Sequence, residues 1–257
     1  MQMLTNRQET ILALLKEHGP ERIDDIAEQI GVTGVTVRRE LKYLEEAGHV
    51  SRSKGVIEIN SMDKAGLAFS EKEKSNVEEK NAIARKAVEL IPPSSTIILD
   101  SGTTTYALAR MIEHNNIRDL AIVTNSLPAA TLLSPNNTVV VTGGTVDGST
   151  YALLGHAAES TFDTLVADIT FIGASGMSAQ YGLCVQSQIH YGVKRKMLQT
   201  GTKRVALMDP SKLLSRNGSI FCTVNEIDIL ITVRNPQTEQ IVEEIRKCGV
   251  KVLYADM

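Results

Sequence analysis

The chain has 257 residues, which is enough for one large domain or for a small and a medium one. Its apolar content of 42% and charged content of 22% are ordinary for a globular protein. The net charge of −3 excludes a general polycation, so binding to nucleic acid requires a local basic patch.

The three cysteines, Cys184, Cys222 and Cys248, are far apart in the sequence and include no C-x-x-C pair. No cluster of His and Cys has the spacing of a zinc site, so we expect no metal. The first residues carry no apolar signal segment. Together these features predict a protein of the reduced cytoplasm.

Three short helices are predicted near the start of the chain. A capping box at Thr5–Gln8 opens the first helix, and Gly19-Pro20 end it. The second helix is predicted from apolar residues at i, i+3, i+4 and i+7, which are Ile23, Ile26, Ala27 and Ile30. Thr33 is expected to cap a third helix that runs from about Gly34 to Ala47, where Gly48 stops it.

A hairpin is predicted directly after the third helix. Val50 and residues 57–59 have the character of two short strands around a turn at residues 53–55. Three short helices followed by a hairpin are typical of a winged helix-turn-helix, a DNA-binding fold. We assign residues 1–60 to this domain.

The third predicted helix has an apolar face and a basic face. On a helical wheel Val37, Leu41 and Leu44 point inward. The outward residues and the predicted wing form the candidate DNA-binding set, which is Thr33, Val35, Thr36, Arg38, Arg39, Lys42, Arg52 and Lys54. Arg bonds guanine bidentately, and Thr contacts thymine methyl groups or phosphates. The alternative is that these residues only solvate an exposed helix, since residues 1–60 carry eight Lys/Arg against ten Asp/Glu.

Residues 61–77 are polar and charge-rich and are predicted as a linker, and residues 78–257 form a second domain. There, segments of helical periodicity alternate with short apolar runs. These runs are Ile97–Asp100, Ala121–Thr124, Val139–Thr142, Ile169–Gly173, Val205–Met208, Ile229–Thr232 and Val252–Tyr254. The alternation predicts an α/β fold with a mostly parallel sheet and helices on both faces.

The first apolar run ends in a hydroxyl-rich loop, Asp100-Ser101-Gly102-Thr103-Thr104-Thr105, that leads into a helix. Backbone N–H groups at a helix N-terminus, together with hydroxyls and a glycine, favour an anion site. The alternative is that the loop only caps the helix. Because it matches neither Walker A nor G-x-G-x-x-G, we expect no nucleotide cofactor.

Small or polar loops also follow the later strands, at Thr124-Asn125-Ser126, Gly143-Gly144, Gly173–Gly176, and Asp209 with Lys212. Ligands of open α/β sheets bind outside the carboxyl ends of the strands, so these loops are expected to share one site. Residues 194–196 are basic; one is a candidate counter-charge for an anion, and at least two are expected on an exposed face. The candidate effector-binding residues are Asp100, Ser101, Gly102, Thr103, Thr104, Thr124, Asn125, Ser126, Gly143, Gly144, Gly173, Ala174, Gly176, Lys194 and Lys212.

These motifs together resemble one known family. Residues 32–48 read V-T-G-V-T-V-R-R-E-L-x-x-L-E-x-x-G, similar to the recognition-helix signature of the DeoR family of sugar-operon regulators. The resemblance resumes downstream and covers nearly the whole chain, at Asp100–Thr104, Val123–Ser126, Gly143-Gly144, Phe171–Gly176, Val193–Met197 and Asp209–Lys212.

The resemblance implies a fold and a function. The second domain is expected to be similar in fold to ribose-5-phosphate isomerase and to act as a sensor. The protein is expected to be an oligomeric repressor of a sugar or polyol operon. Its expected partners are double-stranded operator DNA and a phosphorylated sugar or polyol, which binds at the strand-end loops and releases the DNA.

Two segments depart from the family pattern. The wing, at residues 52–57, lacks the usual His and second Gly, which puts its DNA contact in doubt. Before Val193 the family often has acidic residues that hold sugar hydroxyls, whereas this chain has Ile189-His190-Tyr191-Gly192. His190 either replaces that carboxylate or lies on the surface.

The main rival function is a sugar-phosphate isomerase or a related lyase. Isomerisation requires a general base beside the carbon whose proton moves. Enzymes of that fold carry acidic residues in the loop that corresponds to residues 173–176, which here is Gly-Ala-Ser-Gly. We therefore expect no enzyme activity. An activator, or a regulator with a non-phosphorylated effector, stays open at this point.

Overall fold

The computed structural model describes residues 4–19, 21–47, 49–53, 55–59, 69–215 and 218–257. Contacts divide these residues into a small unit that ends before Phe69 and a larger unit from Phe69 to Met257. Within the described residues, no helix has the length and hydropathy needed to span a membrane.

The small unit contains three helices and a hairpin, as predicted. The elements are α1 Asn6–His18, α2 Ile23–Gln29, α3 Gly34–Glu46, β1 Val50–Ser53 and β2 Val56–Ile59. The capping box of Thr5 and Gln8 is present, and Thr33 caps α3 by accepting from the Thr36 N–H. Gly19 ends α1 with a φ of +87°, a conformation that glycine adopts without strain. Pro20, Gly48 and Lys54 lie outside the described residues.

One apolar core holds the small unit together. It contains Ile11, Leu12, Leu15, Ile26, Ala27, Val37, Leu41, Leu44, Val50 and Ile57. Strands β1 and β2 pair antiparallel, and Glu21 adds a bridge to Ile57 through two backbone hydrogen bonds of 3.0 and 2.7 Å. This arrangement is a winged helix-turn-helix, which confirms the predicted fold of the N-terminal segment.

The larger unit begins with a helical segment, α4, at residues 69–74, inside the segment that we predicted as a linker. Phe69 is buried and lies edge-on to the rings of Tyr106 and Tyr151, at centroid distances of 5.8 and 5.7 Å. Because this aromatic side chain packs, the chain from Phe69 onward belongs to the larger unit. Asn76, with a φ of +48°, then separates α4 from α5 Val77–Val88.

A seven-stranded parallel sheet forms the centre of the larger unit. Its strands are β3 Thr96–Leu99, β4 Ala121–Thr124, β5 Thr138–Val141, β8 Ala167–Ile172, β11 Gly201–Leu207, β13 Ile229–Val233 and β14 Lys251–Ala255. They lie in the order β14-β13-β11-β8-β3-β4-β5, and every neighbouring pair is parallel. All seven predicted apolar runs are strands of this sheet, so the predicted α/β fold is confirmed.

Helices and two small sheets complete the unit. The helices are α6 Thr103–His114, α7 Leu127–Leu133, α8 His156–Ser160, α9 Tyr191–Thr200, α10 Pro210–Leu213 and α11 Glu239–Lys247. β6 Thr145–Asp147 pairs with β7 Ala152–Leu154, and β10 Gly182–Val185 lies between β9 Gly176–Ser178 and β12 Ser219–Cys222. Since all sheet strands are parallel, the loops after β3, β8 and β11 meet at one edge, where a ligand site is expected.

Candidate functional site

The outer face of α3 carries most of the predicted DNA-binding residues. Val37, Leu41 and Leu44 are completely buried on the inner face, as predicted. On the outer face Val35 is 73% exposed, and the Lys42 side chain is 78% exposed. Thr33, Arg38 and Arg39 are exposed as well, and Thr36 is half-buried.

A buried carboxylate positions the basic face of α3. Glu40 is 9% exposed and accepts a hydrogen bond of 3.0 Å from Gln8 Nε2, which ties α3 to α1. Arg7 and Arg39 approach the same carboxylate at 3.5 and 3.4 Å. Lys42 lies 3.9 Å from Glu46. The Lys42–Glu46 pair is exposed on both sides and contributes about 0–1 kcal/mol, so Lys42 can exchange it for a DNA contact at little cost. If Arg39 turns to DNA, Glu40 keeps Gln8 and Arg7 as partners.

The predicted wing residues are only partly described. Arg52 is exposed, and its Nε lies 3.4 Å from Glu45 Oε1 on α3. The hydroxyls of Thr33 and Thr36 lie 3.0 Å apart and share a hydrogen bond, and Thr33 also caps α3. Lys54 is outside the described residues.

A cleft of about 180 Å³ opens in the larger unit at the carboxyl ends of β3, β8 and β11. Eight of the candidate effector-binding residues line it: Ser101, Gly102, Thr103, Thr104, Gly173, Ala174, Lys194 and Lys212. The structure therefore brings together the hydroxyl-rich loop, the small loop after β8 and two lysines.

The N-terminus of α6 faces this cleft without a side-chain cap. Its N-cap is Gly102, which offers no acceptor to the N–H groups of the first turn. Ser101 is 7% exposed, and its Oγ has no hydrogen-bond partner in the described chain. Thr105 instead turns back and donates to the carbonyls of Asp100 and Gly102, at 2.6 and 3.0 Å. Free donors and a free hydroxyl thus lie at the positive end of a helix.

Asp100 and Lys194 form a buried pair beneath the cleft. Asp100 Oδ2 accepts the Gly173 N–H at 2.9 Å and forms an ion pair with Lys194. Lys194 is 5% exposed and also donates to the Gly173 carbonyl at 2.8 Å. The other two basic residues of α9 also form ion pairs: Arg195 lies 2.6 Å from Glu226, and Lys196 pairs with Asp163. Lys194 is therefore the only one of these three that lines the cleft, and Asp100 balances its charge.

Other candidate residues lie behind the cleft rather than in its lining. Thr124 and Asn125 are buried; Thr124 donates to the Leu99 carbonyl at 2.7 Å, and Asn125 accepts the Ser101 N–H at 2.9 Å. Ser126 caps α7. Three glycines, Gly143, Gly144 and Gly176, do not line the cleft either. A Cβ at Gly144 would collide with the Leu154 carbonyl, and a Cβ at Gly176 with the Ser215 carbonyl. Close backbone packing therefore accounts for both glycines.

Sequence reasoning missed a second set of lining residues on α4 and α5. Phe69, Lys72, Ser75 and Lys80 all line the cleft. Lys80 is 3% exposed and donates to the carbonyls of Lys72 and Ser75, the latter at 2.5 Å. Burial lowers the pKa of Lys80, and the nearby Asp209 opposes this effect. Because the polar composition of residues 61–77 predicted a linker, Phe69, Lys72 and Ser75 were not expected at a binding site.

Asp209 holds an unused acceptor at the cleft. Its carboxylate is completely buried, and Oδ1 accepts from Asn76 Nδ2 at 3.0 Å and from Ser211 Oγ at 2.5 Å. Oδ2 has no partner among the described residues. A buried carboxylate oxygen without a partner is costly, and Oδ2 is therefore able to accept a hydrogen bond from a donor at the cleft.

Comparison with known families assigns both units. The DeoR-like helix-turn-helix domain matches residues 7–63, and the DeoR C terminal sensor domain matches residues 75–234. The chain is a member of the DeoR family. It is therefore a DNA-binding transcriptional regulator, and the resemblance inferred from the motifs is confirmed.

Curated regulators align with this chain over almost its whole length. The HTH-type transcriptional regulator GlpR of Haloferax volcanii is 31% identical, with 96% of each chain covered. The lactose phosphotransferase system repressor of Staphylococcus epidermidis is also 31% identical, over 90% of this chain and 92% of its own. Ribose 5-phosphate isomerase A of Neisseria gonorrhoeae aligns over 53% of each chain at a TM-score of 0.38 and 18% identity.

The position that departs from the DeoR pattern is occupied by a buried histidine. His190 is 8% exposed, lines the cleft, and its Nε2 lies 3.2 Å from Asp147 Oδ2. Burial and the nearby Lys194 lower the pKa of His190. Burial alone would raise the pKa of Asp147, but hydrogen bonds from Thr150 and Ser149 outweigh it and lower that pKa.

Proposed function

We propose that this DeoR-family regulator represses a sugar or polyol utilisation operon and leaves its operator when a phosphorylated sugar or polyol binds the cleft. The observation that carries the proposal is the combination of an uncapped helix N-terminus with the unpartnered buried Ser101 Oγ and Asp209 Oδ2 at one cleft. The donors suit a phosphate, and the carboxylate suits a hydroxyl. The name of the Staphylococcus relative, a lactose phosphotransferase system repressor, supports the repressor assignment.

The operator contacts are proposed for the outer face of α3. The exposed Arg38 and Arg39 suit bidentate bonds to guanine, and Val35 suits a thymine methyl group. Lys42 suits a phosphate, which fixes register without reading sequence. Arg52 adds a backbone contact from the wing.

The phosphate site is proposed for the first turn of α6. Backbone N–H groups and the Thr103 and Thr104 hydroxyls donate to the phosphate, and such hydrogen bonds are stronger when the acceptor is charged. Lys212, on the short helix α10 after β11, adds a positive charge on the same cleft. Lys194 is expected to contribute less, because Asp100 already neutralises it.

The cleft also borders the segment that follows the DNA-binding unit in sequence. Phe69, Lys72 and Ser75 are among the first described residues of the larger unit, and all three line the cleft. An effector that moves α4 changes where the connector to the DNA-binding unit starts. An effector releases DNA only if it binds the DNA-incompetent state more tightly, so contacts to α4 are a suitable source of that difference.

The proposal includes a homo-oligomer assembled through the larger unit. One winged helix has a small contact area on DNA, and two copies spaced by helical turns raise both affinity and specificity. Strand β5 forms one edge of the described sheet, and its Val140 and Val141 are 43% and 41% exposed. Residues 138–142 read Thr-Val-Val-Val-Thr, so antiparallel pairing with a second copy about Val140 matches identical, uncharged residues.

The experiment that tests the proposal is a gel shift with DNA from upstream of the protein's own gene. The bound complex is titrated with a panel of sugar and polyol phosphates and with the matching free sugars. We expect one phosphate ester to release the DNA and its free sugar to have no effect. Equal release by a free sugar and its phosphate would contradict the proposal that the effector is phosphorylated. Absence of DNA binding would contradict the proposal that the operator lies upstream of the protein's own gene.

A further inference from the structure

The turn between β6 and β7 forms one wall of the cleft and is organised by a single carboxylate. Asp147 accepts hydrogen bonds from the Ser149 N–H at 3.2 Å, from Ser149 Oγ at 2.9 Å and from Thr150 Oγ1 at 2.6 Å. His190 Nε2 lies 3.2 Å from the same carboxylate. Ser149, Thr150 and His190 all line the cleft.

An ionised carboxylate accepts hydrogen bonds and cannot donate them. Both hydroxyl hydrogens, on Ser149 and Thr150, are therefore directed at Asp147, and their oxygens keep free lone pairs. Burial and the nearby Lys194 lower the pKa of His190, which favours its neutral form at neutral pH. Its single N–H then lies on Nε2, facing Asp147, and Nδ1 is left as an acceptor.

The two walls of the cleft consequently differ in hydrogen-bonding character. The wall at the N-terminus of α6 presents N–H donors and threonine hydroxyls, whereas at the Asp147 turn Ser149 and Thr150 present hydroxyl oxygens whose hydrogens already bond to Asp147. A phosphate fits the first wall. The second wall fits groups that donate, such as uncharged hydroxyls, and disfavours a carboxylate or a second phosphate, which would face the lone pairs of Ser149 and Thr150.

We infer that Asp147 and His190 are positioning residues that make this cleft selective for phosphate esters whose far end carries uncharged hydroxyls, against esters whose far end is anionic. The inference rests on the proposed function, because it assumes that the phosphate binds at α6. Asp147 acts through Ser149, Thr150 and His190, since it fixes where their hydrogens point.

The matched probes are sorbitol 6-phosphate and 6-phosphogluconate, which share a six-carbon chain and a phosphate and differ in a terminal CH₂OH or carboxylate. Calorimetric titration of the full chain measures both, with inorganic phosphate as a third probe. We expect the wild type to prefer sorbitol 6-phosphate by about tenfold or more, the equivalent of one or two hydrogen bonds.

Asp147→Asn keeps the shape but introduces an amide that donates, so hydroxyl hydrogens turn into the cleft. We expect the preference to fall to within about threefold while inorganic phosphate binds as before. Asp163→Asn is the matched control, because Asp163 is an exposed acid that pairs with Lys196 and does not line the cleft. Thr150→Val removes one acceptor without introducing a donor and should weaken sorbitol 6-phosphate alone.

Equal affinity of the wild type for the two esters, or a preference that survives in Asp147→Asn and Thr150→Val, would overturn the inference. A wild type that binds neither ester nor inorganic phosphate would instead overturn the phosphate site of the proposed function, and the inference with it. Operator binding and thermal unfolding of each variant verify the fold.

Discussion

Replacing Thr103 by Glu tests the proposed phosphate site most directly. Thr103 is half-buried, is the first residue of α6, and lines the cleft. A carboxylate at this position lies against N–H groups that Gly102 leaves uncapped. Since negative charge at a helix N-terminus stabilises by about 0.3–1 kcal/mol, the variant should unfold at the same temperature as the wild type or slightly above it.

The same carboxylate competes with the phosphate. A hydrogen bond to a charged group contributes about 1.5–3 kcal/mol, so loss of one such bond raises the effector concentration needed for release by about 10- to 150-fold. Repulsion between the two anions adds to this loss. Thr103→Gln is the matched control, because glutamine has the size of glutamate and no charge. The increase in the effector concentration needed for release should be at least about tenfold smaller for Thr103→Gln than for Thr103→Glu.

The assay is fluorescence anisotropy of a labelled operator fragment during titration with the effector found by the gel-shift panel. Both variants should bind the operator like the wild type when effector is absent. If Thr103→Glu releases the operator at the wild-type effector concentration, the phosphate does not bind at the N-terminus of α6. If Gln and Glu variants lose the response equally, bulk rather than charge is responsible.

Three further predictions concern the DNA surface, the assembly and pH. Arg39→Ala should cost about 1–3 kcal/mol of operator affinity if Arg39 reads guanine. Lys42→Ala should weaken binding to all DNA sequences alike and reduce the slope of log affinity against log salt concentration by about 1. Binding titrations at several salt concentrations measure both effects. Val140→Lys should dissociate the oligomer in light scattering, whereas Val166→Lys, at an 82% exposed position, should not. Because the folded state lowers the pKa of His190, the unfolded chain binds its proton more readily, so stability is full above the ordinary pKa of 6.5 and falls as the pH decreases below it. Urea unfolding at about pH 7.5 and 5.5 should show this loss, and His190→Gln should lose less; an identical loss would refute the role of His190.

Much of the fold could be predicted because strands of a parallel sheet are buried on both faces and read as continuous apolar runs. The runs of β3, β4 and β8 are examples: Ile98, Val123 and Ile172 are all buried. The strand order could not be predicted, because β3 pairs with β8 across a long stretch of intervening chain. The packing of α4 could not be predicted either, since Phe69 is one aromatic residue in a charge-rich segment.

The lining of the cleft was predictable only in part: the loops after β3 and β8 were expected there, whereas α4, α5 and the turn between β6 and β7 were not. All loops that line the cleft at the ends of β3 and β8 were expected to do so, because parallel strands end at one edge. Which hydroxyl points outward depends on hydrogen bonds that cross between loops. Thr124 and Thr103 look equivalent in sequence, yet Thr124 is completely buried under the Leu99 carbonyl and Thr103 lines the cleft.

His190 shows why a missing acidic residue cannot be interpreted from its own position. From its neighbours in sequence alone, His190 could either replace the carboxylate or lie on the surface. Its exposure of 8% excludes a surface position. The carboxylate that faces His190 belongs to Asp147 at the end of β6, far earlier in the chain. Under our inference the histidine does not supply a negative charge of its own. Its one N–H donates to the Asp147 carboxylate, so its other ring nitrogen is a neutral acceptor. A neutral acceptor still binds a sugar hydroxyl, and it avoids the repulsion that a carboxylate would exert on the phosphate of the same ligand.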